Sequence, residues 1–518
     1  MKLKRFFRSA AFLAAAGMVA KVIGAAYKVP MVAVLGAEGI GIYQLVFPLY
    51  TTLLTLSGGG IPLAVSRTVA ALPRADGRGE GRILVAALLA FVPVGALGTA
   101  ALALLGGGMA CAQGNPDATA AYVALAPSVC LVSVLAVLRG WWQGTHDMFP
   151  TALSQLIEQS VKLLAGLALA QFFAPFGRAY AVAGAVAGIS VSELVAVVAL
   201  VLLTVMRRRE ISPAGRPLFR TAVREMPALW SCALPVSLGS LVLPLIGLVD
   251  SALVVNLLTD AGMSAGEATA LFGAAASPSA VLSLPTVLTG AACSAALPAL
   301  TAARATGKEN GAASDRAMRA AHFAGVGGAA FIALFADDIV GLLFAGGLTD
   351  AERAVAVSVL RLSAAGVPYV CYTQTVTTVL QSRGHTALPA LCLLAGGVVK
   401  TVLTLLLVPR VGVAGTAYSA VAAYAFTFAL DALAVRKVSF AVRPLVNALL
   451  ACGCAAAVSL PLTALPLSGV FALTLPPFVF ALVYVALPAC TGATGRAAIA
   501  ALRGKFARYR GLKKTKKY

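Results

Sequence analysis

Residues 150–162 read PTALSQLIEQSVK, and residues 389–400 read PALCLLAGGVVK, a loosely similar stretch. Each stretch ends in a lysine, Lys162 or Lys400, that lies inside an apolar segment. Other similar pairs follow in the same order at offsets of 230 to 241 residues: Pro48 with Pro278, Gly60 with Gly290, 127–130 with 368–371, and 182–184 with 413–415. A shared order with similar offsets predicts an internal duplication, which is typical of transporters.

The amino-acid composition indicates the medium in which the chain folds. Of the 518 residues, 60% are hydrophobic and only 11% are charged. Long apolar runs with few charges are typical of helices that cross a bilayer. Short polar or Gly- and Pro-containing breaks separate the apolar runs into predicted spans at residues 9–35, 40–72, 83–110, 119–139, 151–174, 178–206, 226–258, 268–303, 319–346, 355–380, 387–409, 411–436, 441–465 and 469–489. We therefore predict an all-α integral membrane protein with 14 transmembrane helices.

The duplication also predicts how these helices are grouped. Each copy contains six spans, and an even number of crossings returns the chain to its starting side, so the copies are parallel and related by an axis along the membrane normal. The predicted division is an N-lobe at 1–206, a cytoplasmic linker at 207–225 and a C-lobe at 226–436. Two further helices at 437–490 and a basic cytoplasmic tail at 491–518 follow the repeat.

Basic residues are distributed unevenly between the two ends of the predicted helices. Most Lys and Arg residues lie at the two termini or in alternate connections, whereas the intervening connections hold only Arg178, Arg353 and Arg410. By the positive-inside rule, both termini are cytoplasmic. The net charge of +21 therefore predicts contact with anionic membrane lipids and not with nucleic acid. A cleaved signal peptide is an alternative for the basic N-terminus, although the apolar character continues to Leu35.

Basic residues inside the spans are candidates for a substrate site. A charge at the bilayer centre costs roughly 2.5 to 3.5 kcal/mol on insertion scales, so such residues usually face a cavity. We expect a central cavity lined by Lys21, Lys28, Lys162, Lys400 and Arg361. The alternatives are snorkelling to the interface or pairing with a carboxylate on another helix.

Acidic residues inside the spans have two possible uses. Glu158 precedes Lys162 by four residues, the favourable order for an ion pair on one helical face. Glu158, Glu193 and Asp250 are also candidate coupling sites, because a transported cation or proton needs a carboxylate.

The lysines predict an anionic substrate. Ammonium groups act as compact point charges for phosphate. Because the predicted cavity opens toward lipid between the lobes, a lipid-linked diphosphate could place its headgroup inside the cavity while its tail stays in the bilayer.

Several motifs then carry a family resemblance. They are RGWWQG at 139–144, MFPTALSQ at 148–155, Glu158-Gln159, GGGIP at 58–62 with Ser66-Arg67, and LPL at 243–245 with VDS at 249–251. Together they resemble stage V sporulation protein B-like polysaccharide transporters of the multidrug/oligosaccharidyl-lipid/polysaccharide (MOP) exporter superfamily, which also contains the MurJ lipid II flippases. The likeness extends over essentially the whole chain.

The resemblance implies a flippase for an undecaprenyl-diphosphate-linked oligosaccharide or peptidoglycan precursor, working by alternating access in a bacterial plasma membrane. MurJ-like relatives use arginines in the cavity near the first helix, where this chain has Lys21 and Lys28. Lysine keeps the charge but lacks the bidentate fork of arginine. The saccharide and the sporulation or general cell-wall role are left open.

Other function classes fit the sequence less well. A cation-coupled multidrug exporter of the same superfamily needs carboxylates near the first helix, which carries two lysines instead. A membrane enzyme such as a glycan ligase needs an outer-loop cluster, but His146 and His385 fall in predicted cytoplasmic loops. We expect no catalytic residue, metal or cofactor, and there is no G-x-x-x-x-G-K-[ST] loop for ATP. The energy source and oligomeric state are left open, and a monomer is the simplest expectation.

Overall fold

The computed structural model describes residues 2–72, 77–208, 222–305, 311–344, 346–385, 387–435, 442–463 and 470–491. These residues form helices joined by short turns, with no β-strand among them. The α-helices are α1 Lys2–Gly58, α2 Ile61–Ala70, α3 Gly77–Ala112, α4 Ala118–Gly144, α5 Phe149–Phe173, α6 Arg178–Arg208, α7 Met226–Ser240, α8 Val242–Asp260, α9 Ala265–Ala276, α10 Ser279–Ala305, α11 Gly311–Leu334, α12 Ala336–Phe344, α13 Asp350–Ala364, α14 Val367–Ser382, α15 Ala387–Val411, α16 Ala414–Val435, α17 Val442–Thr463 and α18 Val470–Thr491. A short 3-10 helix, Ala174–Phe176, follows α5.

The described helices confirm the all-α class. Eleven helical stretches are long and apolar enough to cross a membrane, and the number is twelve if α13 and α14, bent by 43°, form one span. The count of fourteen stays a prediction.

Besides the span 40–72, in which α1 ends at Gly58 and α2 begins at Ile61, four predicted spans are interrupted in the structure. The spans at 226–258, 268–303, 319–346 and 355–380 each consist of two helices, α7 with α8, α9 with α10, α11 with α12 and α13 with α14. Pro278 lies in the second of these breaks, where its missing N–H and its ring interrupt helical hydrogen bonding. Hydropathy averages over such a break, so the sequence analysis predicted continuous helices.

Helix α1 contains a further break at Gly36. This residue has φ 67° and ψ −178°, a backbone conformation that only glycine adopts readily. The break falls between the predicted spans 9–35 and 40–72.

The chain forms two compact units. One consists of Met1–Ala280, Phe344–Ala356 and Ala390–Ser419, and the other of Val281–Leu343, Val357–Pro389 and Ala420–Tyr518. Each unit draws on three separate stretches, whereas the predicted lobes are continuous. The predicted linker lies mostly outside the described residues, as does the basic tail beyond Thr491, and the lobe division stays a prediction.

In the first unit, α1 packs against α4, α5, α8 and α9. The contact between α1 and α9 is close because both helices present glycine. A β-carbon on Gly273 would overlap the carbonyl oxygen of Ala37, and one on Gly41 would overlap that of Thr269. Small residues that let two backbones approach are typical of helix packing in membranes.

We expect Gly273→Ala to lower the thermal unfolding midpoint of the protein in detergent. The added methyl group forces α1 and α9 apart, and overpacking of this kind costs typically about 1 to 3 kcal/mol. Gly290→Ala is the matched control, because a β-carbon on Gly290 would have no neighbour within 4 Å. Equal midpoints for the two variants would contradict the close-packing interpretation.

In the second unit, α11 packs against α14, α17 and α18, and the two C-terminal helices pack against each other. Phe323 and Tyr484 stack with ring centroids 4.6 Å apart, and the Tyr484 hydroxyl donates to the Phe323 carbonyl oxygen at 2.8 Å. Helix α18 therefore contributes to an aromatic cluster in this unit.

Candidate functional site

A buried carboxylate lies midway along α6 in the first unit. Glu193 is only 3% exposed, and its Oε1 accepts a hydrogen bond from the Tyr50 hydroxyl of α1 at 3.0 Å. Tyr50 also shares a hydrogen bond of 2.7 Å with Ser128 of α4. The other oxygen, Oε2, is buried without a hydrogen-bond partner among the described residues. Three helices thus surround one carboxylate that has only half of its oxygens satisfied.

Lys162 of α5 lies beside this group. Its Nζ is 5.5 Å from the ring centroid of Tyr27 and 5.6 Å from that of Phe47, distances at which a cation is attracted to an aromatic face. Lys162 interacts electrostatically with Glu158 and Glu193. Within the described part of the chain, no carboxylate lies within salt-bridge distance of Lys162.

Glu158 pairs with a different residue from the one in the predicted pair. Its Oε2 lies 2.7 Å from Nη2 of Arg139, and the Nε of Arg139 donates to Ser154 Oγ at 2.9 Å. The helical spacing to Lys162 allowed a pair, but α4 brings a guanidinium to the same carboxylate. Arg139 therefore neutralises Glu158, and Lys162 keeps a charge that no described salt bridge compensates.

Lys28 contacts neutral acceptors. Its Nζ donates to the Ala276 carbonyl oxygen at 2.7 Å and to Ser279 Oγ at 2.6 Å. Ala276 ends α9 and Ser279 begins α10, so the ammonium bridges the break around Pro278. A cation is favourable there, because the last carbonyl oxygens of a helix carry partial negative charge.

Lys400 of α15 forms an ion pair with Asp250 of α8. Pairing with a carboxylate on another helix was one of the alternatives for this lysine, and Asp250 is that partner. Asp250 Oδ1 is buried without a hydrogen-bond partner among the described atoms. The pair compensates both charges.

In the second unit, Arg361 lies 2.5 Å from Asp337 and its Nε donates to the Ala333 carbonyl oxygen at 3.2 Å. Its side chain is 51% exposed. Lys21 lies on α1, but its side chain is outside the described residues. The structure therefore brings together Lys162, Glu158 and Glu193, whereas Lys28, Lys400 with Asp250, and Arg361 each have other neighbours.

The search for charged residues inside the spans could not find the uncharged neighbours of Glu193. Tyr50 and Ser128 are ordinary residues of membrane helices, and only their distance from Glu193 makes them notable. Arg139 is the last residue of the predicted span 119–139, whereas α4 continues beyond it to Gly144. No group of three or more His, Cys, Asp or Glu suited to a metal occurs among the residues described.

A second polar network lies between helices of the first unit. The Gln113 side chain donates to Ser251 Oγ and to the Leu45 carbonyl oxygen, at 2.9 Å each. Tyr122 donates to the same carbonyl at 3.1 Å and to Gln113 Oε1 at 2.8 Å. These bonds satisfy buried polar groups and tie α1, α4 and α8 to the end of α3.

Comparison with known families identifies the family to which the chain belongs. The family described as polysaccharide biosynthesis protein matches residues 6–303, more than half of the chain. The chain belongs to this family. Stage V sporulation protein B of Bacillus subtilis (strain 168) is 26% identical to it over 449 residues, covering 85% of each protein. The lipid II flippase MurJ of the same organism is 26% identical over 161 residues, 28% of this chain and 29% of MurJ.

Solved structures show the same fold. A MurJ lipid II flippase in an inward closed conformation has a TM-score of 0.72 at 12% identity, covering 92% of this chain and 98% of that one. An inward-facing MATE multidrug resistance transporter of the MOP superfamily has a TM-score of 0.66 at 18% identity, covering 80% and 94%. This member of the polysaccharide biosynthesis protein family is thus a multi-pass membrane protein with a fold similar to those of MurJ and MATE transporters.

Proposed function

We propose that the protein flips an undecaprenyl-diphosphate-linked oligosaccharide or peptidoglycan precursor across the bacterial plasma membrane by alternating access. The observation that carries the proposal is Lys162, a mid-helix ammonium with no salt bridge among the described residues, in a chain of the polysaccharide biosynthesis family. A charge of this kind in a membrane helix usually marks a substrate path. The sequence similarity to MurJ supports a lipid-linked substrate.

Lys28 supports an anionic substrate as well. It is bonded to a carbonyl and a hydroxyl, both neutral, so these contacts leave its positive charge in place. Lys21, Lys28 and Lys162 are the proposed binding residues for the diphosphate. Lys400 and Arg361 also stay proposed substrate-binding residues, and their described ion pairs are with Asp250 and Asp337.

The proposed topology has fourteen crossings, two six-helix lobes and cytoplasmic termini. One helical stretch from Val22 to Ala70 contains 49 residues, which at about 1.5 Å per residue is more than twice the thickness of the hydrocarbon core. The break at Gly36 supports counting this stretch as two crossings. We propose a monomer that carries no cofactor and performs no covalent chemistry.

The test is a flipping assay in proteoliposomes with a fluorescent undecaprenyl diphosphate saccharide. Fluorescent lipid in the outer leaflet is quenched by a membrane-impermeant reductant, so transport appears as loss of the protected inner-leaflet fraction. We expect protein-containing vesicles to lose that fraction, and protein-free vesicles to retain it. If loss is equal in both, the protein does not flip this lipid.

A cation-coupled multidrug exporter is the second candidate. The observations in its favour are the buried carboxylate Glu193 and the similarity in fold to MATE transporters. Export of a fluorescent organic cation driven by an imposed Na⁺ or H⁺ gradient, without flipping of the diphosphate lipid, would favour this candidate.

A further inference from the structure

Glu193 and Lys162 together could couple the binding of an anion to the binding of a proton, which neither residue could do alone. We infer that binding of the substrate anion at Lys162 is coupled to uptake of one proton by Glu193. The inference rests on the proposed function, because it requires an anion at Lys162. It adds which residue takes up the proton and how the substrate controls that step.

One oxygen of the Glu193 carboxylate lacks a described hydrogen-bond partner. The carboxylate is buried at the middle of a helix, and the Tyr50 hydroxyl donates to Oε1 only. A buried carboxylate is costly unless it is paired and hydrogen-bonded. Oε2 has no hydrogen-bond partner among the described residues, so this oxygen is the place where a proton can bind without breaking an existing bond.

Several residues face the Glu193 carboxylate. Among the described residues these are Tyr50 from α1, Ser128 from α4, and Glu158 and Lys162 from α5. Glu158 is neutralised by Arg139 at 2.7 Å. The Ser128 hydroxyl also interacts with the Glu193 carboxylate but does not titrate, and Tyr50 is a donor. Lys162 is therefore the counter-charge available to an ionised Glu193.

An anion bound at Lys162 competes with Glu193 for that counter-charge. A chain of close contacts connects the two groups, since Lys162 lies 5.6 Å from the Phe47 ring centroid and Phe47 lies 5.6 Å from the Tyr50 ring. When a diphosphate binds to the ammonium, an ionised Glu193 faces additional negative charge without its own compensation. Like charges repel each other more strongly in a low dielectric than in water. A proton from solvent on Oε2 removes this repulsion.

Linkage makes the coupling reciprocal. If anion binding favours protonation of Glu193, protonation must favour anion binding by the same factor. The affinity of the wild-type protein for an anion should then fall as the pH rises, by up to about tenfold per pH unit for one linked proton. The occupied site holds a proton together with the anion, which lowers the net charge buried in the membrane.

The experiment is calorimetric binding of farnesyl diphosphate to the purified full-length protein in two buffers with different ionisation enthalpies. The difference between the two heats gives the protons taken up per anion bound. We expect wild type to take up more protons than Glu193→Gln. We also expect Glu193→Gln to bind the probe at least as tightly at pH 8, with a weaker pH dependence. Because both proteins bind the same probe, its own ionisation cancels.

A second measurement needs no variant. Infrared difference spectra of the wild-type protein should show a new carboxylic-acid C=O band when the probe binds. Equal proton uptake by wild type and Glu193→Gln overturns the inference, as does Na⁺-dependent binding that Glu193→Gln abolishes, since the site would then hold Na⁺. If wild type binds no anion at all, the proposed function itself fails, whereas binding without proton uptake refutes only the coupling.

Discussion

Lys162→Gln should reduce the initial rate of lipid-linked saccharide flipping at least about tenfold, which corresponds to a loss of roughly 1.4 kcal/mol of interaction with the substrate. The reason is that glutamine keeps the length and polarity of the side chain but removes the charge that attracts a diphosphate. Interactions between charges are strong inside a membrane protein, where the dielectric is low. The measurement is the proteoliposome assay at matched protein density.

Two further variants make this result specific. Lys162→Arg keeps the charge and should keep most of the rate, because a guanidinium also binds phosphate. Arg410→Gln removes one exposed positive charge at the end of α15, so it controls for the total charge of the protein and should transport at the wild-type rate. If Lys162→Gln and Arg410→Gln flip the lipid at equal rates, Lys162 does not bind the substrate.

Separating Asp250 from Lys400 should have the largest effect on stability. The two side chains are only 19% and 20% exposed, so Asp250→Asn or Lys400→Gln alone removes the described ion-pair partner of a mostly buried charge. Breaking a buried pair in this way costs about 3 kcal/mol or more. We expect each single variant to lower the unfolding midpoint in detergent, and the double variant to recover most of the loss because it leaves no charge behind.

The pair between Arg361 and Asp337 is the matched control. Its side chains are 51% and 64% exposed, and exposed pairs contribute about 0 to 1 kcal/mol. Arg361→Gln should therefore change the midpoint little. If the Asp250→Asn and Lys400→Gln effects simply add in the double variant, the two residues do not stabilise each other.

Some features of the fold and site could be predicted from the sequence for physical reasons. Hydropathy predicts that the chain folds in a membrane, because a membrane helix must be apolar over most of its length. Charges inside a helix are visible for the same reason, and Lys28, Lys162, Glu193 and Lys400 were identified in this way. The repeated lysines 162 and 400 nevertheless have different neighbours, two aromatic rings in one case and Asp250 in the other.

The partners of these charges could not be predicted. Asp250 and Lys400 are 150 residues apart, and Lys28 and Ala276 are 248 apart, so only the packing of the helices decides that they meet. The break in α1 at Gly36 could not be predicted either. Glycine is frequent in membrane helices, and only the positive φ of Gly36 in the structure distinguishes it from the other helical glycines.

The contacts of Lys28 have a consequence for the proposed binding of a diphosphate lipid. Two of the three N–H groups of this ammonium are committed to the α9–α10 junction, yet acceptance by neutral oxygens leaves its charge intact. A phosphate drawn to that charge must compete with a peptide carbonyl and a serine hydroxyl for the same hydrogens. Under the proposed function, phosphate binding by Lys28 therefore competes with the two hydrogen bonds that hold this lysine at the junction between α9 and α10, and a bound substrate would release the junction from that contact.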